Sequence, residues 1–175
     1  MNESDLFLIG DVSGFTPQIG RLVSMMNYVR HTTLSAVAGL GVDDLDYLSD
    51  PQSNSIGALL SHIAAAEVGY QAATFYAREM NEEEKQEWGA AVKLGERARR
   101  EIRGRELDYY LSRLEQVRAK TLAELGQRED QWLAEQTSFG GQRVNNYFKW
   151  FHVFGHELNH RGQVHWLRRQ MTKRS

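Results

Sequence analysis

Residues Val144–Met171 read VNNYFKWFHVFGHELNHRGQVHWLRRQM. No proline interrupts them, and Val153, His156, His160, Val164, Leu167 and Met171 recur at spacings of three and four. Such a period is the buried seam of a long α-helix. Two seam positions are histidines four residues apart, so their imidazoles project from one face on successive turns. Burying two imidazoles side by side is costly unless both are hydrogen-bonded or metal-bound. A pair at this spacing readily chelates one divalent cation.

Upstream the period recurs three times. Thr16-Pro17 reads as an N-cap followed by proline at the first helical position. From there Ile19, Leu22, Met26, Val29, Thr33, Val37 and Leu40 mark one buried face, ended by Gly39 and Gly41. Asp43 to Gln52 is a polar connection, after which Ser53 or Asn54 caps a second helix. Its apolar positions Ile56, Leu59, Leu60, Ile63 and Ala66 run on towards Phe75. The third long helix carries Leu107, Tyr110, Leu111, Leu114, Val117, Thr121, Leu122 and Leu125 and stops at Gly126.

Between the second and third, Asn81 with Glu82, Glu83 and Glu84 is an N-cap with an acidic first turn. That segment is weakly apolar, ends in Arg97, Arg99, Arg100, Arg103 and Gly104, and belongs on the outside. Arg128 to Gly141 is polar and closes with Gly140-Gly141; nothing in the chain alternates with strand period for more than a few residues. Four long amphipathic helices predict an all-α fold, a four-helix bundle. The long helical crossover between the second and third helices allows them to run parallel, in an up-down-down-up order. Residues 1–175 read as one domain, with 1–15 as an N-terminal extension.

Composition narrows the function. A chain of 175 residues suffices for one sizeable core. With 41% apolar and 25% charged residues it is globular rather than disordered. It has no cysteine, which excludes disulfides, Cys-ligated zinc, iron–sulfur clusters and a Cys nucleophile, and fits a reducing compartment. Lys plus Arg is 21 against 23 Asp plus Glu, a net charge of −2, without the basic footprint of a nucleic-acid binder. Arg97, Arg99, Arg100, Arg103 and Arg105 are interleaved with Glu96, Glu101 and Glu106, the pattern of a solvated helix face. Met1 to Gly14 lacks the order of a signal peptide, and no apolar run approaches the ~18 residues of a membrane span. The expectation is a cytoplasmic protein with neither nucleic acid nor membrane as partner.

His156-Glu157-Leu158-Asn159-His160 also spells the HExxH of zinc proteases. Only 15 residues follow His160, none of them Asp or Glu. His165 would lie about 140° round the helix. The longer metzincin pattern needs Gly at Gln163 and His at Trp166 and fails. A third ligand is therefore sought upstream, and His62 is the best candidate. It stands in the row Ser55, Leu59, His62, Ala66, Gly69, Ala73, whose small side chains leave space beside it. His152, one turn before His156, reads as a ligand, a supporting partner or a plain polar residue, with the last two favoured; His31 has no assigned direction. Glu67 either approaches the site as a catalytic base or, the commoner case, pairs with Arg30. Glu157 points about 100° away from His156 and reads as a supporting or surface group.

Two segments carry a resemblance: Asn54-Ser-Ile-Gly-Ala-Leu-Leu-Ser-His62-Ile-Ala-Ala-Ala-Glu67, and His156-Glu-Leu-Asn-His160-Arg-Gly-Gln163. Together they resemble the DinB/YfiT-like family of metalloenzymes, over about Pro17 to Met171. The resemblance implies an up-down-down-up bundle, frequently dimeric. It implies a divalent metal, zinc or nickel, held by His62, His156 and His160, the three residues already singled out by the core stripes. Some members look like thiol S-transferases that join a low-molecular-weight thiol such as bacillithiol or mycothiol to an electrophile; others resemble a thiol-dependent maleylpyruvate isomerase.

The leading expectation is thus a metal-dependent thiol S-transferase acting on a small-molecule thiol and an electrophile. Water activation by the same site, a metal-dependent hydrolase, is the alternative among enzymes. A non-catalytic metal- or small-ligand-binding protein is the alternative outside them, and a DNA-damage-related nucleic-acid binder the weakest. Phe139, Tyr147, Phe148, Trp150, Phe151, Phe154 and Trp166 are expected mostly in the core. Tyr147, Phe148, Trp150 and Phe151 surround the last helix, too many for one face, which predicts a homodimer.

Overall fold

The computed structural model describes residues 6–172, so residues 1–5 of the expected extension lie outside the described residues. The chain is mostly helical. Among the described residues eight helices, α1 (Pro17–Val37), α2 (Val42–Asp46), α3 (Ile56–Phe75), α4 (Glu82–Lys93), α5 (Gly95–Glu101), α6 (Leu107–Leu125), α7 (Asp130–Ala134) and α8 (Asn146–Thr172), accompany a hairpin of β1 (Gln136–Phe139) and β2 (Gln142–Asn145). None of these helices is long and apolar enough to cross a membrane.

The four long helices are those the apolar periods predict. Side-chain contacts set their relative directions. Arg30 meets Glu157 and Ala36 meets Arg168, in ascending order along α1 and α8. Glu67 meets Arg118 and Gln71 meets Thr121, ascending along α3 and α6. His62 meets His156, Tyr70 meets His152 and Phe75 meets Trp150, so α3 and α8 run in opposite senses. Met26 and Arg30 meet Arg118 and Leu114, which opposes α1 to α6.

Two apolar clusters fill the interior. One gathers Ile56, Leu59, Leu60, Tyr110, Leu114, Val164 and Leu167. The other gathers Ile19, Leu22, Met26, Leu125, Leu133, Trp150 and Val153. On each long helix the boundary between them falls near a buried polar residue: Arg30, Glu67, Arg118 or Glu157.

Several local expectations are corrected. Thr16 is the N-cap of α1, but its hydroxyl makes no cap bond. Asp130 Oδ1 does that work from α7, accepting from the backbone N–H of Gln18 at 3.0 Å and Ile19 at 3.1 Å and from the Thr16 hydroxyl. Ser55, not Ser53 or Asn54, caps α3 through a bond from Ala58 N–H. The polar connection after α1 holds α2. The middle segment is not simply outside, because Trp88, Ala91 and Ala98 are buried, Trp88 and Ala91 against the cluster built on α3.

The polar stretch before α8 contains α7 and the hairpin. Strands of four residues are too short to show alternation, but Gly140 and Gly141 both take positive φ, 56° and 79°, as a tight hairpin turn requires. The late aromatics divide: Trp150 and Phe154 are buried, whereas Phe139, Phe148, Phe151 and Trp166 are exposed. The visible part of the extension lies across α1, where a Cβ on Gly20 would sit 2.8 Å from Val12 N.

Candidate metal centre

α3 and α8 run side by side, and their histidine rows face each other. His62 comes from α3, His156 and His160 from α8. His156 Nε2 lies 3.0 Å from His62 Nε2 and 3.0 Å from His160 Nε2. All three donor atoms lie within 4.8 Å of one another. The structure therefore brings together the three residues the sequence selects.

The outer nitrogens decide which lone pairs face inward. His62 Nδ1–H donates to the Ala91 carbonyl at 2.8 Å, which leaves its Nε2 as a bare lone pair. That carbonyl is free for a reason legible in the backbone. In a continuous helix it would accept from Gly95 N–H. The helix breaks between α4 and α5 at Leu94 and Gly95, both at positive φ (53° and 68°). Gly95 N–H turns to Asn54 Oδ1 at 3.2 Å instead. On α8, His160 Nδ1–H donates to Gln163 Oε1 at 3.3 Å, and its Nε2 also faces the cluster. Neither Ala91 nor Asn54 stands out in the sequence as a supporting residue; the signal that could have found them is the Leu94-Gly95 break.

Electrostatics keep the cluster neutral. Burial lowers the pKa of His62, partly offset by the Ala91 bond. Burial, then the neighbouring imidazoles of His160, His62 and His152, pulls His156 down to about 3. Burial and then His62 lower His160. Three neutral imidazoles with converging lone pairs repel one another unless a cation or shared proton lies between them. Such a donor set suits a divalent cation of the zinc type, and three protein ligands leave a position open. The residues present thus fit the metal that the resemblance implies.

The remaining candidates fall elsewhere. His152 stacks towards His156 at a ring-centroid distance of 6.4 Å but is outside the three-nitrogen group. His165 is exposed. The His31 backbone carbonyl accepts from the Ser35 hydroxyl within α1, at 2.9 Å. Glu67 does pair with Arg30, at 3.4 Å, and with Arg118, at 2.8 Å. Glu157 is not at the surface: it is 0% exposed and bonds Arg30 at 2.8 Å and Arg118 at 3.2 Å. Arg118, which the periodicity passes over, completes a four-charge layer with one member from each long helix. Arg161, in the His-Arg-Gly-Gln segment, ties α8 to the Thr32 hydroxyl of α1.

Fold and site together define a helical protein with a three-histidine cluster able to hold a metal ion. The family model for Mycothiol-S-transferase matches residues 21–173, and the chain belongs to that family of DinB/YfiT-like proteins. No curated protein matches it.

Proposed function

We propose that the protein is a divalent-metal-dependent thiol S-transferase in which His62, His156 and His160 hold zinc or nickel. The convergence of their three Nε2 atoms carries this reading. When bound, the cation supplies positive charge that acidifies a thiol or water at its open position. Ala91 holds His62 in the tautomer that keeps Nε2 free, and Gln163 does the same for His160. The chain has no cysteine, so the thiol belongs to a substrate, with mycothiol, named in the family's description, the first candidate. The acceptor is an electrophile. A reduced thiol substrate and a cysteine-free chain suit the cytoplasm.

The same reading takes the chain as one domain in which α1, α3, α6 and α8 form an up-down-down-up bundle, with α4 and α5 as the crossover. The pairings of α1 with α8 and of α3 with α6 in the same sense support it. It also makes the protein a homodimer. Phe148, Phe151 and Trp166 are exposed along α8, and nothing lies within 4 Å of the Cβ positions of Gly155 and Gly162 between them. Sedimentation of a strict monomer at micromolar concentration would contradict the dimer.

The central test is elemental analysis of untagged protein beside His62→Ala and His156→Ala, followed by thiol-consumption assays. About one divalent ion per chain, lost in both variants, is expected. A loaded protein that neither binds nor consumes any low-molecular-weight thiol overturns the transferase reading.

A further inference from the structure

Three cationic side chains are buried among the described residues: Arg30, Arg118 and Lys149. The two arginines share Glu67 and Glu157. Lys149 has no carboxylate in ion-pair reach among the described residues. It is 5% exposed, and its Nζ donates to a single neutral partner, Thr137 Oγ1, at 3.0 Å. Burial alone acts on its ammonium, pulling its pKa below the ordinary lysine value. A buried cation without a counterion is costly and needs a reason.

Its position suggests one. Lys149, His152, His156 and His160 recur along α8 at spacings of three, four and four, so they share one face. On α3, His62, Ala66, Gly69 and Ala73 recur at four, three and four. A pocket of about 330 Å³ is lined by Ala66, Gly69, Tyr70, Ala73, Phe139 and Lys149, with the hairpin turn at its edge. His152 joins it to the histidine cluster, its ring 5.9 Å from Tyr70, 5.2 Å from Phe139 and 6.4 Å from His156. Lys149 stands seven residues before His156, about 10.5 Å along the helix axis at ~1.5 Å per residue. The volume is at the lower end for a small-molecule site, and apolar walls with one charged group fix a ligand's orientation.

We infer that this pocket is a subsite for a small organic carboxylate, whose anionic end pairs with Lys149 and whose apolar body lies against the wall made by Tyr70 and Phe139, whose rings stack on each other at a centroid distance of 6.2 Å. It rests on the transferase reading only in taking that molecule as the electrophile presented to the histidine cluster; the binding itself needs no metal. Small residues at 66, 69 and 73 make the space, and Lys149 selects the charge.

The test is calorimetric titration of the full-length, metal-free protein with 3-phenylpropanoate, its neutral amide and inorganic phosphate. The carboxylate is expected to bind at least about tenfold more tightly than the amide, and Lys149→Met to erase that difference. Ala73→Phe, at an exposed lining position, is expected to weaken carboxylate binding with Lys149 intact, which separates pocket filling from misfolding of the lysine variant. Phosphate is expected to bind far more weakly than the carboxylate. Absent carboxylate binding, equal binding of the amide, equal binding of phosphate, or binding unchanged in either variant overturns the inference. The readout is independent of metal, so its failure leaves the metal stoichiometry of the histidine variants as it stands, and the converse also holds.

Discussion

Two polar clusters sit inside the same four long helices, and they are satisfied in opposite ways. Arg30, Glu67, Arg118 and Glu157 contribute two positive and two negative charges, one from each helix. Leftover donors find backbone: Arg30 Nη1 bonds the Leu114 carbonyl at 2.9 Å and Arg118 Nη1 the Met26 carbonyl at 3.2 Å. Thr121 Oγ1 adds a bond to Glu67 at 2.6 Å. Burial works against ionisation of Glu67, but Arg118, Arg30 and Thr121 outweigh it and hold its pKa below the usual value. Nothing in this layer asks for an outside partner. The histidine cluster is the reverse. Its outer Nδ1 atoms on His62 and His160 are bonded, and its inner Nε2 atoms meet only each other. A charge layer closed in this way needs no ligand; a half-satisfied cluster of neutral donors is able to hold a metal ion.

The largest effect should come from breaking the closed layer. Glu157→Gln leaves Arg30 and Arg118 short of a buried countercharge, and the expected loss is about 3–5 kcal/mol in urea unfolding. A loss under about 1 kcal/mol would mean that solvent or another group replaces Glu157, and the contrast would fail. Next comes His156→Ala. It should abolish metal retention by elemental analysis while changing the stability of the metal-free protein far less than Glu157→Gln does. A metal-free His156→Ala protein as unstable as Glu157→Gln would make the histidines structural too.

Acidification separates the clusters more gently. The folded-state pKa of His156, about 3, lies below its ordinary 6.5, so below pH 6.5 the unfolded chain binds more protons than the folded one. Stability from the neutral imidazole is therefore complete above pH 6.5 and is lost as pH falls from there towards 3. Metal-free wild-type protein should lose more stability between pH 7 and 4 than metal-free His156→Ala, measured by denaturation at each pH. Parallel curves would contradict the assignment. The smallest expected effect is Gln163→Ala, which removes the acceptor for His160 Nδ1–H. Metal stoichiometry should survive while affinity falls by about tenfold in competition with a chelator. Unchanged affinity would show that Gln163 holds nothing.

Much of this was legible in the chain. Long runs with a three-four period locate α1, α3, α6 and α8 because each buries one face continuously for five turns or more. His62, His156 and His160 were legible because a histidine in a core stripe needs a partner. Short elements were not. α2, α7 and the hairpin are too brief for a period to develop. Glu157 read as a supporting or surface group because local helix geometry says only that it points away from His156, not that Arg30 and Arg118 wait there.

The sequence by itself determined which faces are apolar, along which stretches the long helices run, that any thiol must come from outside, and which histidines share a face. Each depends on residue spacing along one helix or on composition. The tertiary structure alone decided that Asp130 caps α1, that the break at Leu94-Gly95 releases Ala91 to orient His62, that Arg118 closes the charge layer, and that Lys149 is buried with no countercharge among the described residues. Those are contacts between groups far apart in the chain. Their energies depend on which surfaces the packing of helices brings within hydrogen-bond reach, and no local period records that.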